Sequence, residues 1–91
     1  EEFVVLCPET NEKGAVNVAE KLRKTVETHE FTANYKVSGE ENVIKKERIH
    51  ITISVGVVEV EEGEDIGTAF NKADKAMYQA KGKGKNKVVF C

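Results

Sequence analysis

The chain has 91 residues, 40% of them hydrophobic and 33% charged, with a formal net charge of -2. That balance belongs to a globular protein and excludes a disordered tail, and so short a chain makes at most one domain with a small core. No apolar run approaches the ~20 residues of a membrane-spanning helix, and no basic-then-apolar leader opens the chain.

The chain begins with "EEFVVLC", in which Phe3 to Cys7 reads as a short buried strand stopped by Pro8. Thr10 or Asn11 then offers a side-chain oxygen to free backbone amides and opens a helix. Ala15, Ala19, Leu22 and Val26 make its apolar stripe, Glu20, Lys21, Lys24 and Glu27 its solvated face, and it fades near His29. "FTANYKV" (31–37) reads as a short strand or extended arm, Ser38 to Asn42 as turn chemistry, and "VIKKER" as the return path.

The strongest strand pattern is "RIHITISVGVVEV" (48–60). Ile49, Ile51, Ile53, Val55 and Val57 share one face, and His50, Thr52, Ser54 and Gly56 share the other. That small, polar face suits the close approach of a ligand and of a helix equally well. Past the turn "EEGED", Ile66, Phe70, Ala73, Met77 and Ala80 form the stripe of a second helix whose start is favoured by Glu64 and Asp65. Gly82 and Gly84 end it, and "KVVF" (87–90) closes with a strand. The order β-α-β-β-α-β predicts an α+β fold, an α/β sandwich of helices on a sheet.

Two polar clusters can carry chemistry. Glu1 and Glu2 are adjacent carboxylates of the type that holds Mg²⁺, although two glutamates at a chain start also serve simply as solubilising charge. Residues 81–91 carry four lysines and no acid, while the remaining residues sum to -6. Such a compact positive segment suits a phosphate better than a long nucleic-acid track. Lys81 and Lys85 stand four apart across the end of the second helix and point to one side if the turn persists. Lysines at a helix C-terminus also complement the dipole with no ligand at all. No P-loop and no nucleophilic triad is present. His29 and His50 read as a helix end and a strand position, Asp74 and Lys75 as surface contacts, and Met77 as core. Cys7 and Cys91 lack metal spacing and read as reduced thiols, with a bridge between strand ends as the alternative.

The blocks "EEFVVLCPET", "AVNVAEKLRKTV", "ITISVGVVEV" and "ADKAMYQAKGKGKNKVVF" resemble, in order and spacing, the GGDEF domain, the catalytic domain of diguanylate cyclases. The resemblance runs from residue 1 to residue 90 and is weakest over 31–47. It implies a nucleotide-cyclase, palm-like fold with a ferredoxin-like core. "EEF" is similar to the end of the GG[DE]EF signature, so residues 1–91 are expected to be a single partial domain, the C-terminal half. A metal-binding aspartate, guanine-reading side chains and any RxxD inhibitory site would lie upstream.

The implied activity is condensation of two GTP molecules to cyclic di-GMP and pyrophosphate by a facing pair of domains, in bacterial second-messenger signalling. By the same resemblance Glu1 and Glu2 are catalytic, with Glu1 also the ligand of Mg²⁺ or Mn²⁺, and Lys81 and Lys85 grip the GTP phosphates. The family most often has arginine where Lys85 stands, and lysine keeps the charge without the bidentate fork. The expected setting is cytoplasmic, in a parent that is itself free or membrane-anchored, with an upstream sensory or receiver domain. No nucleic acid and no membrane contact by this segment are expected. The chain alone is expected to be inactive and to form an intertwined or rearranged dimer. The alternative is a degenerate GGDEF module that binds GTP or dimerises without catalysis. More remote is a ferredoxin-like module using "KGKGKNK" on RNA, which would lack interleaved aromatics for base stacking.

Overall fold

The computed structural model describes residues 4–91. In chain order these form α1 (Glu12–Thr28), β1 (Phe31–Lys36), β2 (Ile44–Ile49), β3 (Val55–Val57), α2 (Ile66–Gly82) and β4 (Val88–Phe90). The class is α+β. The strands make two separate two-stranded sheets, β1 with β2 and β3 with β4.

The anticipated first strand falls partly outside the described residues, and Val4 to Cys7 form no strand. Strand propensity describes a side chain that suits a pleated surface, whereas a strand exists only when a neighbouring backbone takes its hydrogen bonds. Val4, Val5 and Leu6 accordingly stay largely exposed.

Asn11, not Thr10, caps α1: its Oδ1 accepts from the Gly14 backbone N–H at 2.9 Å, while the Thr10 hydroxyl donates to the Pro8 carbonyl. The helix ends at His29, whose N–H reaches the Thr25 and Val26 carbonyls. Its inward face is broader than the anticipated stripe. Ala19 is buried and Ala15 and Val26 are half-buried, Leu22 is exposed, and Glu20, Arg23 and Glu27 are half-buried as well.

β1 and β2 pair antiparallel from Phe31↔Ile49 to Lys36↔Ile44. They contact no other helix or strand, so the hairpin stands away from the rest, and the molecule measures 58 × 26 × 24 Å. The long strand anticipated over 48–60 is therefore divided. Its first residues belong to β2, residues 50–54 are unpaired, and only Val55–Val57 join β4.

β3 and β4 pair in parallel, flanked by hydrogen bonds from Val55 N–H to the Lys87 carbonyl and from Cys91 N–H to the Val57 carbonyl. Both helices contact both strands. At Gly56 the contact is closest: a Cβ there would lie 2.0 Å from the Ala73 carbonyl oxygen and 2.5 Å from the Met77 nitrogen. The small face of β3 thus receives a helix. For the same reason the buried stripe of α2 is alanine. Ala69, Ala76 and Ala80 are buried, whereas Ile66 and Phe70, two of the anticipated core residues, remain exposed. Only small side chains fit where the backbones approach this closely.

Two glycine substitutions should separate in sign. Gly56→Ala places its methyl group against backbone and is expected to cost about 3 kcal/mol in urea unfolding. Gly82→Ala, helical and facing open space, should instead add about 0.5 kcal/mol.

Candidate functional site

The lysine-rich segment follows α2 through a left-handed turn. Gly84 has φ 110°, and the Gly84 N–H bonds to the Lys81 carbonyl while the Lys85 N–H bonds to the Ala80 carbonyl at 3.0 Å. These two bonds, one nested in the other around a left-handed glycine, form a Schellman motif. Helical spacing does not continue to residue 85. Lys81 and Lys85 stand on either side of this wrap, with Lys81 in the last turn of α2 and Lys85 at the residue after the glycine.

Both lysines are exposed. The Lys81 ammonium lies 5.6 Å from the Tyr78 ring centroid, within cation–π range. Lys85 and Asn86 both have positive φ, at 63° and 51°. Two consecutive non-glycine residues in that region are uncommon, and each costs energy that its surroundings must offset.

The surroundings that do so lie on α1. Arg23, the most covered member of the group with its side chain 13% exposed, donates from Nη1 to Asn86 Oδ1 at 3.0 Å. Its other contacts are Glu20 at 3.0 Å and Glu27 at 3.4 Å. Asn86 Nδ2 in turn donates to Glu27 Oε2. Glu20 and Glu27, which sequence periodicity assigns to a solvated face, thus turn toward the lysine-rich loop. No sequence signal short of the spatial pairing of residues 23 and 86 reveals this.

The hydrogen bond from Arg23 holds the Glu20 carboxyl below its ordinary value of 4.5, and the same bond raises Arg23. A second pair joins Lys72 Nζ to Glu64 Oε2 at 2.5 Å across the start of α2, and its hydrogen bond lowers Glu64. The other carboxylate oxygen of Glu64 is buried without a partner. Asp65 sits at the N-cap position without a side-chain capping bond, so it can support this helix start through its charge alone.

Glu1 and Glu2 lie outside the described residues. Among the described residues, no group of three or more His, Cys, Asp or Glu stands close enough to hold a metal ion. His29 meets Phe31 edge-on, with ring centroids 4.3 Å apart, and His50 is exposed. Cys7 and Cys91 are free thiols. Shallow clefts lie at the hairpin turn around Gly39 and between α1 and Glu59, away from Lys81 and Lys85. No helix among the described residues is long and apolar enough to cross a membrane.

The chain matches the family model "Diguanylate cyclase, GGDEF domain" over residues 1–87. It is 36% identical over 90 residues to the response regulator PleD of Caulobacter vibrioides, covering 98% of this chain and 18% of that protein. It is 34% identical over 90 residues to diguanylate cyclase A of Treponema denticola, covering 98% of this chain and 21% of that protein. Diguanylate cyclase DgcM of Escherichia coli K12 is 35% identical over 89 residues, again 98% of this chain and 18% of the relative. The chain therefore spans about a fifth of the length of these relatives.

Acid should weaken the fold through the lowered carboxylates. Glu20 and Glu64 bind protons more weakly when folded, so their stabilisation is present above the ordinary value of 4.5 and is lost as pH falls through their lowered values. The thermal midpoint should accordingly drop as the pH is taken from above 4.5 to below it. The Glu20→Gln, Glu64→Gln double variant should show a shallower drop.

Proposed function

The chain belongs to the GGDEF family, and from that membership we propose that residues 1–91 are the C-terminal half of a diguanylate cyclase catalytic domain. The exposed Val4, Val5, Leu6, Ile66 and Phe70 support the reading of a partial domain, because apolar side chains of this size are ordinarily among the more buried ones. What supports the functional reading is that Lys81 and Lys85 flank one Schellman turn, at the positions to which the family resemblance assigns phosphate contact.

In this reading two domains face one another, each holding one GTP. The 3′ oxygen of each nucleotide attacks the α-phosphorus of the other and loses its proton. The bond to the β-phosphate oxygen breaks, pyrophosphate leaves, and two such steps close cyclic di-GMP. Lys81 and Lys85 hold the phosphate chain in line and offset its charge, which is most of what a protein contributes to such a transfer. Glu1 accepts the hydroxyl proton and Glu2 supports it. The carboxylate of Glu1 has the hard-oxygen chemistry that Mg²⁺ or Mn²⁺ requires, and such an ion, when bound, neutralises phosphate charge. The setting is cytoplasmic, with an upstream sensory or receiver domain controlling how two copies meet.

The test is product formation from GTP and Mg²⁺, followed as cyclic di-GMP and pyrophosphate. The full-length protein should turn over, and the 91-residue chain alone should not. Appreciable product from the chain alone overturns its inactivity, and none from the full-length protein points to a GTP-binding or dimerisation module. In the full-length protein Glu1→Gln should lower kcat by about 100-fold or more. Lys81→Ala should raise KM for GTP about tenfold, the loss of one charge-assisted contact.

A further inference from the structure

The reading of Lys81 and Lys85 as triphosphate contacts leaves open what holds Lys85 in place. Its backbone is left-handed, followed by a second left-handed residue, and neither is glycine. The Schellman bonds fix the turn only as far as the Lys85 N–H. Beyond it the tertiary anchor is Asn86, whose side-chain amide meets α1 with both ends: Oδ1 accepts from Arg23 and Nδ2 donates to Glu27. Arg23 is itself braced by Glu20 through Nε and Nη2, while Nη1 donates to both Asn86 and Glu27. Each end of the amide finds the one partner type it can use, an acceptor against a guanidinium and a donor against a carboxylate. Asparagine is also the side chain best suited to a left-handed position after glycine.

We propose that Arg23, Glu27 and Asn86 are positioning residues for the phosphate grip: α1 clamps Asn86 and thereby sets the direction in which Lys85 is presented beside Lys81. None of the three touches the phosphates. This rests on the reading of the two lysines given above. It extends that reading from the lysine-rich segment to a helix 63 positions earlier in the sequence.

The clamp is tested on the full-length protein with inorganic tripolyphosphate in metal-free buffer, by calorimetry, alongside amide exchange at Lys85. Lys85→Gln sets the scale, with an expected loss of about tenfold. Arg23→Met and Asn86→Gly should each weaken binding by a comparable factor, and the pair together by no more than the larger single loss, because both remove one bridge. Glycine keeps the left-handed backbone of residue 86 available, so Asn86→Gly stays folded even if Arg23→Met does not. Exchange at the Lys85 amide should quicken in both variants while that of Ala76, in the middle of α2, does not change. Unchanged affinity in Arg23→Met and Asn86→Gly, with Lys85→Gln impaired, overturns the clamp and leaves the grip standing. Additive losses in the double variant also overturn it. Failure of the unaltered full-length protein to bind tripolyphosphate removes the grip and the clamp together.

Discussion

The absence of a side chain at Gly56 governs how this molecule is assembled. With no Cβ on β3, the backbone of α2 comes down onto the strand at Ala73 and Met77. Everything else on that helix follows from the separation so fixed. Its buried positions must be alanine, its larger apolar residues are displaced to the flanks, and its C-terminal end is set down beside β4. Hydrophobic burial here is modest in area per residue, and close packing of small groups supplies the contact density instead.

The placement of the lysines depends on this in turn. A helix held rigidly against a strand delivers its last turn to a defined place, and a Schellman motif then reverses the chain within a few residues. The return strand β4 is hydrogen-bonded to β3 immediately afterwards, through the Lys87 carbonyl. Lys85 and Asn86 are thus strung between two fixed points, and the tie from Asn86 to α1 closes the triangle. Strained backbone is characteristic of positions where a chain must present a side chain rather than merely pass through.

The β1–β2 hairpin has no part in that assembly. It covers the stretch where the family resemblance is weakest, and its strands meet only each other. The Cα radius of gyration of 17.5 Å reflects its projection, against about 12 Å for a compact domain of this length. Isolated two-strand ribbons are marginal in water, so this element contributes least to holding the remainder together.

Local chemistry by itself determined the helices and their ends: a cap at residue 10 or 11, which the structure resolves to Asn11, a stop at His29, and a glycine-terminated helix before the lysines. These depend on contacts a few residues apart, and the sequence carries both partners. The same locality made the lysine pair and the family motifs legible. Strands were another matter. The alternating isoleucines and valines of 48–60 describe a face, but which of those residues become strand was decided by available partners, β1 for one end and β4 for the other. Tertiary structure alone also decided between Gly56 as a ligand's approach and as a helix's seat, and chose alanine over Ile66 and Phe70 for the buried stripe. It alone joined Arg23 to Asn86. Those two residues have no relation in periodicity or spacing, and only packing of α1 against β3 and β4 brings a guanidinium to the turn that presents Lys85.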